Sequence, residues 1–162
     1  MQIKSLLTPE RTCSSLEASS KKRALELLAQ IIAQDIPGID ADDLLRRFLA
    51  RERLGSTGVG HGIAIPHCRI NSTDNNAIGA LITLKHPVEF DSIDAEPVDI
   101  LFAMLVPEDS HVERFNRHIR QWQCTRINTD SRHFGYLSYR RYFRGFGAKQ
   151  SAVKTQGFQI NL

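Results

Sequence analysis

Residues 98–106, VDILFAMLV, are apolar except for Asp99 and stop at Pro107-Glu108-Asp109. A run this short cannot cross a membrane, which takes roughly 20 residues. It is also too apolar to leave one face in water. It therefore reads as a central strand with both faces covered. Residues 77–84 supply a neighbour, with Ile78, Ala80, Ile82 and Leu84 on one side and Gly79, Leu81 and Thr83 on the other. Two amphipathic stretches supply the cover. Over 21–34, Ala24, Leu25, Leu28, Ile31 and Ile32 share a helical face, with Ser19-Ser20 offering the N-cap. Over 41–53, Leu44, Leu45, Phe48 and Leu49 form the stripe, Asp40 caps, and Asp42 and Asp43 suit the positive end of the dipole. Strands mixed with such helices define an α/β fold, a β-sheet covered by amphipathic helices.

The remaining segments are less constraining. Residues 1–7 read as a weak strand or helix start, and Thr8-Pro9 as a turn. His86-Pro87 is expected to turn the chain, with a short strand over 88–90 and a polar connection over 91–97. Residues 71–76, NSTDNN, form a loop by composition. Lys21-Lys22-Arg23 oppose the dipole of their helix. They read either as a solvated end or as a docking point for an acidic partner or phosphate.

The chemistry concentrates in residues 54–70, LGSTGVGHGIAIPHCRI. Gly55, Gly58, Gly60 and Gly62 let a backbone come close to a ligand. Amides of such a loop, with the hydroxyls of Ser56 and Thr57, suit an anion. Residues 63–65 read as a buried strand that delivers His67, and Pro66 stiffens the approach. Arg51 and Arg53 end the preceding helix where they can lean over the loop, and Gly55 is its expected stop. The reading is a nucleophilic His67 beside an anion-binding loop. A histidine is largely neutral near pH 7, as a nucleophile must be. Arg51 has an alternative as a partner of Glu52, and Ser56 and Thr57 as turn formers. Cys68 should face away from His67, because neighbours in an extended segment alternate. His61, His67 and Cys68 lack the fourth ligand and spacing of a zinc site, so neither metal nor cofactor is expected.

The segments SKKRALELLAQIIA, ARERLGSTGVGHGIAIPH and DAEPVDILFAMLVPED resemble the IIA components of the phosphoenolpyruvate-dependent phosphotransferase system. The likeness is closest to the nitrogen-regulatory branch, with the fructose/mannitol domains more distant, and covers residues 1–113. It implies a mixed α/β sandwich and a phosphohistidine at His67, attacked through Nε2. Arg51 matches a family arginine beside the active site, and the chemistry of the residues makes Ser56, Thr57, Gly58, Gly60 and His61 further candidates for stabilising the phosphoryl group. The implied partners are an HPr-like carrier that delivers the phosphate and regulatory targets such as potassium transport or sensor proteins. Two departures stand out. His61 occupies a position where the family usually has Asn. Arg114 occupies that of a second active-site histidine, with His111 and His118 out of register.

Composition breaks at the same place. Residues 1–113 carry a net charge of −6, and residues 114–162 carry +9 with nine of the twelve aromatics. The expected organisation is a IIA-type domain over 1–113 and a basic-aromatic tail over 114–162. The simplest account of the tail is a change of reading frame near Glu113. The alternative is a genuine extension whose Arg140–Phe146 stretch, RRYFRGF, contacts nucleic acid. Cys13, Cys68 and Cys124 form no paired spacing, which argues against a disulfide framework. With no signal-peptide core near the start, a cytoplasmic protein without membrane insertion is expected.

Overall fold

The computed structural model describes residues 6–71 and 77–108. The tail over 114–162, the position of Arg114 and the 72–76 loop lie outside the described residues. The elements run β1 (Thr12–Leu16), α1 (Lys21–Asp35), α2 (Ala41–Glu52), β2 (Gly58–Gly60), β3 (Ile63–Ala64), β4 (His67–Ile70), β5 (Ile78–Val88) and β6 (Val98–Pro107). They form one mixed six-stranded sheet in the order β1-β5-β6-β3-β2, with β4 also on β6. Among the described residues, no helix is long and apolar enough to cross a membrane.

β6 is the central strand, and every residue of it is buried. β5 pairs with it antiparallel on one side, while β3 and β4 follow each other parallel along the other. Its side chains alternate between two apolar layers. Leu101, Ala103 and Leu105 join Leu25, Leu28, Ile32, Leu44 and Phe48 under the helices. Ile100, Phe102 and Met104 join Leu6, Ile63, Ile65 and Leu81 on the opposite face. Burying a Leu or Phe side chain of this kind contributes roughly 1.5–3 kcal/mol. The two-sided cover of β6 therefore accounts for much of the fold's stability.

The helices form where periodicity and caps place them. Ser20 accepts from Arg23 N, and Asp40 accepts from Asp43 N. α2 stops one residue short of the expected 53, with Arg53 as its C-cap and Gly55 N donating back to Glu52 O at 3.2 Å.

Three expectations are corrected. β5 does not turn at His86-Pro87 but continues to Val88, which pairs with Val98. The residue before a proline favours extended backbone, and the pairing is irregular between Thr83 and Val88, where Lys85, His86 and Pro87 are exposed. The proline is thus tolerated where no ladder donor is required. β1 was not expected. It is a parallel edge strand on β5 with an irregularity between Cys13 and Leu16 and a left-handed Ser15, φ 58°. Lys21 is neither solvated nor free for a partner. It bonds Glu52 and Asp91, donates to Phe90 O at 3.1 Å and sits over the Phe90 ring.

Candidate functional site

The strand leading to His67 is interrupted, and the interruption builds the site. β3 and β4 share the β6 edge, with Ile63 opposite Ile100 and His67 opposite Met104. Pro66 lies between them and has no N–H to give, although its carbonyl still accepts from Met104 N at 2.9 Å. At the break, Ile65 N donates to Thr57 O at 2.9 Å. The Ile65 carbonyl bonds the His67 ring at Nδ1, also at 2.9 Å. A carbonyl can only accept, so Nδ1 carries the proton.

That leaves Nε2 with its lone pair, and Arg51 Nε donates to it at 2.9 Å. The same guanidinium donates through its NH1 to Gly55 O at 3.0 Å. Burial lowers the pKa of His67 below its ordinary value, and the Arg51 charge adds to the effect. The Ile65 bond and the Glu52 charge oppose it without reversing it. The half-buried ring is therefore a neutral imidazole of defined tautomer with a cation against its basic nitrogen.

The loop between α2 and β3 is held from inside the protein. Thr57, 4% exposed, donates from N and Oγ1 to Glu52. Ser56 Oγ donates to Phe90 O at 2.5 Å and accepts from Gly58 N at 3.0 Å. His61 N donates to Asp94 Oδ2 at 2.6 Å. Burial disfavours the charge on Asp94, but backbone donors led by His61 N outweigh it and hold the carboxyl below its usual pKa. Gly60, His61 and Gly62 are successive left-handed residues with φ of 89°, 58° and 73°. A Cβ on Gly60 would lie 2.8 Å from the Asp94 carboxylate, but the stronger constraint is the left-handed φ of 89°, which favours glycine whatever the space.

Of the expected site residues, Arg51 and His67 are in direct contact. Ser56, Thr57, Gly58, Gly60 and His61 form the adjoining loop. The amides of Thr57, Gly58 and His61 are not the free donors expected, because each has an acceptor within the chain. The alternative pairing of Arg51 with Glu52 is not what forms: Arg51 turns to His67 and Gly55, and Glu52 to Thr57 and Lys21. Cys68 packs beside the layer under the helices, and burial pushes its thiol up to about 12, which makes it a poor nucleophile. Glu52, Lys21, Phe90 and Asp94 were missed as determinants of the site. Their partners are distant in sequence, and neither capping nor periodicity signals them.

A broken strand ending in a tautomer-fixed histidine, next to an arginine and a tied glycine loop, characterises a class. The chain belongs to the phosphoenolpyruvate-dependent sugar phosphotransferase system EIIA 2 family, whose model matches residues 5–120. Within it the chain sides with the nitrogen-regulatory branch. It is 44% identical over 116 residues to a nitrogen regulatory protein of Pseudomonas aeruginosa, covering 70% of this chain and 75% of that one. It is 42% identical over 109 residues to that of Klebsiella oxytoca, covering 67% of each. Among solved structures it is similar to the nitrogen regulatory protein IIA-Ntr of Neisseria meningitidis. The TM-score is 0.68 at 32% identity, over 80% of this chain and 86% of that one. The mannitol IIA of Escherichia coli shares the fold, with a TM-score of 0.56 at 16% identity over 77% and 85%.

Proposed function

We propose that the chain is a cytoplasmic phosphocarrier that accepts a phosphoryl group at His67 Nε2 from an HPr-like protein. Its phosphorylation state then regulates partner proteins, with potassium transport and sensor proteins as the expected kinds. The observation that carries this reading is the tautomer: Nδ1 is tied to the Ile65 carbonyl and Nε2 is left as the nucleophile. Family membership supports the phosphocarrier role.

In the proposed transfer, the Nε2 lone pair attacks the phosphorus of the donor phosphohistidine. The N–P bond to the donor breaks, its imidazole leaves with the electron pair, and a new N–P bond forms at Nε2. Nδ1 keeps its proton. Charge in such a transfer is spread over three equatorial oxygens, so positioning and electrostatics dominate. Arg51 Nε–H gives up Nε2 as the phosphorus arrives and turns to a phosphoryl oxygen. Ser56, Thr57, Gly58, Gly60 and His61 shape the loop beside it, and their donors serve chiefly to keep it in place.

Incubation with phosphoenolpyruvate and the upstream carriers tests the reading. Wild type takes up an acid-labile phosphate and His67→Ala takes up none. Labelling that survives this substitution refutes the assignment.

A further inference from the structure

Glu52 follows Arg51 in the last turn of α2, and its side chain is only 7% exposed. A carboxylate so enclosed needs partners for its charge. It accepts from Thr57 N at 3.0 and 3.1 Å, from Thr57 Oγ1 at 2.6 Å, and pairs with Lys21 Nζ at 2.8 Å. The backbone closes the same turn, with Leu54 N on Arg51 O and Gly55 N on Glu52 O, both at 3.2 Å.

Packing does not hold the outer half of this turn, residues 54–55, whereas its inner end is anchored by Ser56 Oγ on Phe90 O and by the buried Thr57. Leu54 is 85% exposed, and a Cβ built on Gly55 meets nothing within 4 Å. Yet the Gly55 carbonyl is what the Arg51 fork grips while its Nε–H faces His67. A guanidinium is rigid and planar, so fixing one nitrogen sets the direction of the next. Through Thr57, Glu52 fixes the far end of the turn that carries this carbonyl.

We propose that Glu52 is a positioning residue for phosphoryl transfer at His67, holding the 54–57 turn so that Arg51 is aimed at Nε2. The inference rests on His67 being the phosphoryl acceptor. Glu52 touches neither His67 nor the incoming group in this role. Apart from the direct effect of its charge on the ring, it acts through Thr57, Gly55 and Arg51.

Glu52→Gln keeps the size of the side chain but removes its charge and one accepting oxygen. Two readouts apply to the full chain: the Arg51 Nε–H resonance in the unphosphorylated protein, and the rate of labelling from phosphoenolpyruvate through the upstream carriers. In the variant, Arg51 Nε–H exchanges with solvent at least tenfold faster and labelling slows at least tenfold. A merely structural glutamate would lower the melting temperature and leave both at wild-type values, and that result overturns the proposal. If Glu52→Gln does not fold, Thr57→Val removes the Oγ1 donor and is read in the same way, with at least threefold changes expected and none overturning the proposal. If wild type takes no label at His67, the phosphocarrier reading fails. The Arg51 resonance then still decides whether Glu52 sets the guanidinium.

Discussion

Arg51 Nε and His67 Nε2 lie 2.9 Å apart, joined by a hydrogen bond from the guanidinium to the ring. The bond identifies the basic nitrogen and, in the proposed transfer, places a cation where phosphoryl charge would arrive. The same contact adds to burial in disfavouring protonation of the ring, and in the proposed transfer it would supply the donor that stabilises the phosphoryl group. Removing one preorganised donor of this kind costs about 10²–10³ in rate. Arg51→Ala should therefore slow labelling of His67 by about 10²-fold. Arg51→Lys should recover only part of it, because a point charge cannot reach Nε2 and Gly55 O as a fork does. Quench-flow labelling checks both.

The depressed His67 pKa has a thermodynamic consequence. Between the ordinary histidine value, about 6.5, and the lowered folded value, the unfolded chain binds more protons than the folded one. Above that ordinary value His67 costs nothing through this linkage. As pH falls below it, stability is lost, and the loss is complete once His67 protonates in the folded state. The slope is at most about 1.4 kcal/mol per pH unit. Urea midpoints from pH 7.5 to 5 should show this extra slope in wild type and lack it in His67→Gln.

Lys21 and Glu52 join the start of α1 to the end of α2, with side chains 22% and 7% exposed. Burial disfavours the Lys21 charge, but the hydrogen bonds to Glu52 and Asp91 outweigh it and raise its pKa. Breaking a buried pair from one side costs about 3–5 kcal/mol, and partial exposure of Lys21 moves the expectation to roughly 2–3 kcal/mol. Lys21→Met should lower stability by that amount. Adding Glu52→Gln should cost less than the sum of the two single changes, because the orphaned charge is gone. Denaturant titration of the double-mutant cycle measures the coupling.

Much of this architecture is local and therefore legible in the chain. Ser20 and Asp40 cap within three residues, Leu25, Leu28 and Ile32 repeat at helical spacing, and residues 98–106 cannot be anything but a covered strand. The glycine loop and His67 could be read as a candidate site because residue type and order suffice for that. What stayed hidden is non-local or irregular. Strand β1 is serine-rich and broken by a left-handed Ser15, so no alternation marks it. Lys21 finds Phe90 and Asp91 across 69 and 70 residues, a pairing that only the folded sheet creates. The acceptors of the loop amides follow no spacing rule: Thr57 N finds Glu52, Gly58 N finds Ser56 Oγ, and His61 N finds Asp94 across 33 residues.

Gly58 sits against Ser92, whose buried Oγ has no hydrogen-bond partner among the described residues, and a Cβ on Gly58 would lie 3.0 Å from Ser92 Cα. Gly58→Ala should destabilise by about 1–3 kcal/mol through overpacking. Ser92→Ala alone should be neutral or stabilising, because it removes an unsatisfied polar atom. The pair should be more stable than additivity predicts, though below wild type because the backbone contact remains. Thermal melts of the four proteins test this.

The proposed transfer turns on one atom, His67 Nε2. Phosphorylating the chain with its histidines labelled with ¹⁵N and recording ¹⁵N–³¹P couplings tests it most directly. The expected result is a phosphoryl group coupled to Nε2 of His67, with Nδ1 still protonated. A coupling at Nδ1, or at any other histidine, would contradict it.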